Sequence, residues 1–420
     1  MSRLFSTVDW GVNANIYEVN IRQYTKEGTF HAFGKHLPRL KAMGIKILWL
    51  MPVTPISKKE RQGTLGSYYA CSSYVQVNPE YGTMDDLKAL VKQAHELGMK
   101  LIIDWVANHT GWDHHWTKEH PDWYKKDAKG NFTEVNGWKD VIDLDYSKPE
   151  LRKAMVNAMQ HWVNDAGIDG FRCDMAHLVP LDFWKDARTQ CEQHQPLFWL
   201  GECEEVSYHD VFDTTYAWEW MHVTERLGKG TASVNDVYNV LHKYSQYPVG
   251  SQKLFFTANH DENSWNGTEY EKYGGAAKAL AVFTASWQGM PMVYSGQESP
   301  SKKRLQFFDK DLVEWNNPLQ LKEFYQTILL LHQSKAVAGG ETFILPTGNN
   351  SVMAYLRKKD EEIVLVLLNF SDAEKVVVTI EHDWLKGSFH NIFSGMNYTF
   401  TPKELFELQA FEYFVYKSHV

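Results

Sequence analysis

The chain has 420 residues, 44% hydrophobic and 23% charged, which is the make-up of a folded globular protein and not of a disordered one. That length exceeds one simple core, so a large domain with at least one smaller companion is expected. A net charge of −9 and a pI near 6.1 argue against nucleic acid or an anionic membrane surface as a partner.

The N-terminus, MSRLFSTVDWGVNANIYEV, lacks the charged and then apolar regions of a signal peptide. No run of about 20 apolar residues follows, so no membrane span is expected. The chain as it stands reads as cytoplasmic, or as exported if a leader has been removed. Residues 15–22 read as a strand, 33–44 as a short amphipathic helix closed by Gly44, and 45–53 as a second, buried strand. Residues 83–98 form a clear helix, with Thr83 as N-cap, Asp85 and Asp86 in the first turn and Gly98 as its stop. A third strand, 99–109, is polar at its end. Strand and helix alternate, as in parallel βα units.

The rhythm breaks over 110–147, which is rich in Trp, His, Asp, Gly and Lys without periodicity. A loop this long is usually functional, and it reads as a small insertion domain over a cleft. The helix 147–167, with Pro149 in its first turn, restores the alternation. Further strands are read at 168–174, 197–202, 210–216, 253–262 and 289–298. That makes eight, the number that closes a (β/α)8 TIM barrel. From about Gly340 the pattern becomes short alternating or β-branched runs, as in a C-terminal antiparallel β-sandwich. The division expected is a barrel from 1–109 and 148–339, an insertion at 110–147 and a sandwich at 340–420. Four scattered cysteines show no metal-type pairing and read as reduced small hydrophobes.

Four strand ends carry polar clusters: Asp104 to His109 (DWVANH), Arg172 to His177 (RCDMAH), Glu202, and Asn259-His260-Asp261. A parallel strand covered by helices is apolar along its length, so charge at its tip needs a reason. Barrel enzymes place their chemistry there. Arg172 and Asp174, two apart on a strand, point to one side, where the guanidinium can keep the carboxylate ionised. Taken alone, that stretch reads equally well as an ordinary buried ion pair. Three converging carboxylates suit glycoside hydrolysis with retention, in which two carboxyl groups stand roughly 5–5.5 Å apart. Glu202 follows the apolar run LFWLG, so burial is expected to raise its pKa.

These four ordered motifs resemble those of the α-amylase family of glycoside hydrolases, over about residues 15–300. The resemblance implies Asp174 as nucleophile, Glu202 as general acid/base and Asp261 as the third carboxylate. It implies that Asp104 and Arg172 support the nucleophile, that Tyr69 stacks on the sugar, and that His109 and His260 bind it. His177 and Leu178 stand where many members have Lys-His, with His177 placed for the leaving-group side. Met175, after the nucleophile, matches neither usual choice for linkage preference. The insertion corresponds to the family's domain B, and calcium often ties that domain to the barrel. Its ligands would map to Asn108, Asp145 and the carbonyl of Leu178. So short an insertion suggests an open cleft able to take long chains. The implied activity is hydrolysis of α-1,4 bonds in starch or maltodextrins. The alternatives are an exo-acting α-glucosidase or oligo-1,6-glucosidase, a glucanotransferase, and more remotely a non-catalytic sugar-binding relative. A barrel enzyme of unrelated chemistry would need a cofactor site, and no Gly-rich phosphate loop or HExxH pattern is visible.

Overall fold

The computed structural model describes residues 3–418. The first strands are β1 (Ile16–Val19), β2 (Ile47–Leu50) and β3 (Lys100–Trp105). A small antiparallel pair follows, β4 (His109–Gly111) and β5 (Val141–Asp143). Then come β6 (Gly170–Cys173), β7 (Phe198–Gly201), β8 (Thr214–Tyr216), β9 (Gln252–Phe255) and β10 (Met290–Tyr294). Going round, β1, β2, β3, β6, β7, β8, β9 and β10 close into a parallel barrel. The eight expected strands are all present, but shorter than their apolar runs suggest. The run read as 253–262 ends as a strand at Phe255, so Asn259, His260 and Asp261 lie beyond the sheet. The segment 210–216 begins as the last residue of a 3-10 turn and becomes strand only at Thr214.

The helices follow their local signals. Thr83 and Asp86 form a reciprocal capping box on the helix Met84–Glu96, which buries Leu87, Leu90, Val91 and Ala94. The segment 33–44 splits into Phe30–Gly34, capped by Thr29, and Leu37–Met43, which carries Pro38 in its first turn. The helix expected over 147–167 is α-helical from Pro149 to His161 and widens into a π-turn at Trp162–Ala166. There the Trp162 indole donates to the Tyr74 carbonyl at 2.7 Å.

The C-terminal strands are β11 (Glu341–Leu345), β12 (Val352–Lys359), β13 (Glu362–Asn369), β14 (Lys375–Glu381), β15 (Gly387–Asn391), β16 (Asn397–Phe400), β17 (Lys403–Gln409) and β18 (Tyr413–Ser418). Six form one sheet, in the order β11-β12-β13-β18-β15-β16, and β14 pairs with β17 opposite it. Strand β14 alternates exposed and buried residues, as a half-covered strand does. Strand β13 is apolar on both faces. Leu365 and Leu367 enter the sandwich core, while Val364, Val366 and Leu368 join the barrel's core. Tyr355 on β12 bonds Ser286 at 2.6 Å across the same junction.

Gly170 opens β6 directly opposite Phe198 of β7. A Cβ there would stand 2.0 Å from the Phe198 carbonyl oxygen. Gly170→Ala must therefore push β7 away from β6, the two strands that carry Asp174 and Glu202. We expect a loss of at least about 1–3 kcal/mol of stability in urea unfolding, together with loss of activity.

Candidate active site

The C-terminal mouth of the barrel gathers the polar strand ends around one cation. The parallel register of β3 and β6 sets Asp104 beside Arg172. Arg172 is fully buried. Its Nη1 donates to Asp104 Oδ1 at 2.9 Å and to Asp174 Oδ1 at 2.8 Å. Its Nη2 makes an ion pair with Glu202 Oε2 at 2.7 Å, and its Nε donates to the Tyr216 hydroxyl at 3.1 Å. The Trp49 and Tyr216 rings lie 4.8 and 5.6 Å from the guanidinium carbon.

Two of the carboxylates are placed by the sheet itself. The Asp174 N–H donates to the Trp105 carbonyl and the Glu202 N–H to the Cys173 carbonyl, both at 3.0 Å, so each residue continues the ladder one step past its strand. Met175 then turns left-handed, at φ 40°, and aims its N–H at Glu202 Oε2 at 2.9 Å. Asp261 comes from the turn after β9, with Oδ2 3.2 Å from His260 Nε2. His260 Nδ1 meets Glu18 Oε1 at 2.5 Å, and its Nε2 lies 2.7 Å from the Tyr69 hydroxyl. That hydroxyl in turn donates to Asp104 Oδ2 at 3.0 Å.

Burial and charge divide these groups. Burial pushes Glu202 up to about 7, with Arg172 pulling down and Asp174 and Asp261 adding to the rise. Burial also raises Asp174, to about 6, against the pull of Arg172. Burial pushes Asp261 up, but the charge and hydrogen bond of His260, together with Arg172 and Trp265, hold it below its ordinary value. For His260 burial opposes the charge, but Asp261 and Glu18 prevail and hold the imidazolium well above its ordinary range. His109 is buried without a carboxylate partner and drops to about 4, so its ring is neutral. A cavity of about 200 Å³ opens over the set, lined among others by Tyr69, His109, Asp174, Glu202, Asp261 and Trp265.

Residues 13–327 match the family model of the α-amylase catalytic domain, and 343–415 match that of the maltogenic amylase C-terminal domain. The chain belongs to the α-amylase family of glycoside hydrolases. Its fold is similar to that of the noncanonic maltogenic α-amylase AmyB from Thermotoga neapolitana (30% identity, TM-score 0.90, covering 97% of this chain and 99% of that one). An α-amylase from Lactobacillus plantarum is similar at 28% identity, with a TM-score of 0.88 and coverage of 97% and 99%. Among curated relatives, α-amylase MalA of Haloarcula japonica is 24% identical over 89% of this chain, which spans only 58% of MalA.

Within this family member the structure brings most of the sequence-read residues together. Asp174, Glu202, Asp261, Tyr69 and His109 line the cavity. Asp104, Arg172 and His260 lie buried beneath them. His177 is the exception. The 3-10 turn Ala176–Leu178 buries Ala176 and turns His177 outward, so it is exposed and does not line the cavity.

Asn108 Nδ2 points to Asp143 Oδ1, at 3.4 Å, and not to Asp145. Asp143 faces inward because it pairs with His109 across β4 and β5. The Asp145 carboxylate accepts the Ser147 N–H at 3.1 Å and lies 3.9 Å from Lys148 Nζ. Leu178 lies half-buried in the same 3-10 turn as His177. Asp143 Oδ2 is buried without a hydrogen-bond partner, with Lys125 Nζ 4.0 Å away, which is an environment a hard cation would suit.

Sequence reading missed Glu18, Trp49 and Tyr216. Only Glu18 left a signal, as a lone charge in the apolar strand IYEV. Because Arg172 compensates several buried carboxylates at once, Arg172→Ala should cost about 3–5 kcal/mol in chemical denaturation and lower turnover as well.

Proposed function

We propose that the protein is a retaining α-glucan hydrolase acting on α-1,4 bonds of starch or maltodextrins. The observation that carries this reading is the sharing of Arg172 between Asp174 and Glu202. One guanidinium holds both carboxylates, at 2.8 and 2.7 Å. That closeness favours the retaining spacing of roughly 5–5.5 Å over the inverting one of roughly 6.5–9.5 Å. The likeness to AmyB, described as a maltogenic α-amylase, supports the substrate class.

In this mechanism the sugar stacks on Tyr69, with the neutral His109 and the cationic His260 at its hydroxyls. Asp174, ionised beside Arg172, attacks the anomeric carbon as the bond to the leaving oxygen breaks. Glu202 gives its proton to that oxygen. Asp261 accepts hydrogen bonds from ring hydroxyls and favours the distorted ring. The leaving saccharide departs, and water entering its place loses a proton to Glu202. That water attacks the anomeric carbon and frees Asp174, so two inversions return the α configuration.

Asp174→Asn should lower turnover of maltoheptaose by on the order of 10⁴-fold or more, since losing one member of a catalytic unit costs nearly the whole unit's contribution. A variant with full turnover would refute the assignment. The first product observed by NMR should be the α-anomer. Turnover should fall below about pH 6 as Asp174 takes up a proton, and above about pH 7 as Glu202 loses one.

Calcium is a second part of the proposal. Asn108 and Asp143 would hold the ion, which would supply charge to a buried carboxylate and tie the insertion to the barrel. Removal of calcium with EDTA should lower the Tm, and Asp143→Asn should abolish that sensitivity. An unchanged Tm in the parent protein would overturn the site.

A further inference from the structure

The reading of the protein as an α-glucan hydrolase leaves open where along the glucan it cuts. The rim of the site addresses that question. Around the barrel, β1 stands four strands from β7 in either direction, so it lies directly across the mouth from the strand that carries Glu202. The loops after β2 and β10, which flank β1, meet on that far side.

Their meeting is stitched at several points. The segment 57–66, from the loop after β2, starts at the insertion domain, where Asp113 Oδ2 accepts the N–H groups of Lys58 and Lys59 at 2.8 and 3.1 Å. Gln62 Nε2 then donates to Asp140 Oδ1 at 3.0 Å. At the other end Thr64 bonds Asp309 Oδ1 through its N–H and hydroxyl, at 2.8 and 2.5 Å. The Leu65 and Gly66 N–H groups both reach the Phe308 carbonyl, at 3.0 and 3.1 Å. Gly63, at φ +62°, lets the two loops touch, since a Cβ there would come within 2.5 Å of Phe308 Cβ. Inside this strap Phe307 lies parallel to Tyr69, with centroids 6.2 Å apart, and Trp265 packs on it at 5.3 Å. Phe307, Phe308 and Gln62 all line the cavity. The short insertion therefore does not leave the cleft open on this side, as its length had suggested.

The acid stands on the side where the leaving group departs. The ring held by Tyr69 and attacked by Asp174 continues, through its O4, toward the non-reducing end and away from Glu202. The strap stands on that far side of the mouth, built from the loops that flank β1. The cavity of about 200 Å³ is below the roughly 300–1,000 Å³ of pockets that enclose larger ligands. We infer that the strap 57–66 and Phe307–Phe308 close the glycone end of the site, so that the enzyme removes a short unit, glucose or maltose, from the non-reducing ends of maltodextrins. This rests on the α-glucan hydrolase reading above.

The test compares p-nitrophenyl α-maltoheptaoside with the same compound capped by a 4,6-O-ethylidene group at its non-reducing end. Products are resolved by size in the first few per cent of reaction. The inference expects glucose or maltose as the first sugar released and the capped substrate cut at least about tenfold more slowly. Phe308→Ala should raise the capped-to-uncapped rate ratio by a similar factor and lengthen the first product. Thr64→Ala/Asp309→Ala loosens the same strap without touching the core and should move the ratio in the same direction. Early mid-length products and equal rates on both substrates would overturn the inference while leaving the hydrolase reading intact. An unchanged ratio in both variants would overturn the assignment to the strap. Failure of the parent enzyme to cleave either substrate, soluble starch included, would refute the hydrolase reading and the inference with it.

Discussion

The structure depends most on a single buried cation. Arg172 has no access to water and is held between Asp104, Asp174 and Glu202. One positive charge cannot compensate three negative ones in a medium of low dielectric, so the surplus must be relieved by protonation. The groups divide according to their other partners. Asp104 also accepts from Trp49 and Tyr69, whereas Glu202 has a single backbone donor, from Met175. Burial raises Glu202 further than Asp174, so Glu202 keeps its proton to the higher pH, as the acid role proposed for it requires.

Such a balance works only if the groups cannot drift. Asp174 and Glu202 are each one residue past a barrel strand and still bonded to the neighbouring strand. The proposed chemistry therefore rests on barrel strands, which hold side chains more precisely than loops do. Beneath it Gly170 allows the close approach of β6 and β7, and outside it β13 ties the sandwich to the barrel by burying apolar residues on both faces. What surrounds the reacting centre is different in kind. The strap and the loop after β10 are irregular backbone, and the insertion adds only the short β4–β5 pair and two helical turns, all joined by side chains from distant parts of the chain. In a barrel enzyme such loops can change what enters and leaves without disturbing the carboxylates.

The end of β5 shows how two neighbouring acidic residues come to face different ways. Asp143 and Asp145 are two residues apart, but only Asp143 belongs to the antiparallel pair that faces Asn108. Asp145 lies just past that strand and bonds within its own turn.

Much was legible in the sequence. Each apolar run ending in charge marks a strand that reaches the barrel mouth, because a helix-covered parallel strand does not otherwise tolerate charge. Asp104, Arg172, Asp174, Glu202, His260 and Asp261 were read to one barrel mouth in this way, where the structure gathers them, and the helix cap at Thr83 and the all-β character after Gly340 were legible too. These signals are local, and local sequence carries them in full. Tertiary structure alone decided the rest. It turned His177 outward, faced Asp143 toward Asn108, brought Glu18 from β1 to His260, and joined the loops after β2 and β10 into one rim. The physical reason is that these contacts connect residues far apart in the chain through long side chains and irregular backbone. Such contacts have no periodicity, so they are fixed only once the closed barrel sets which loops are neighbours.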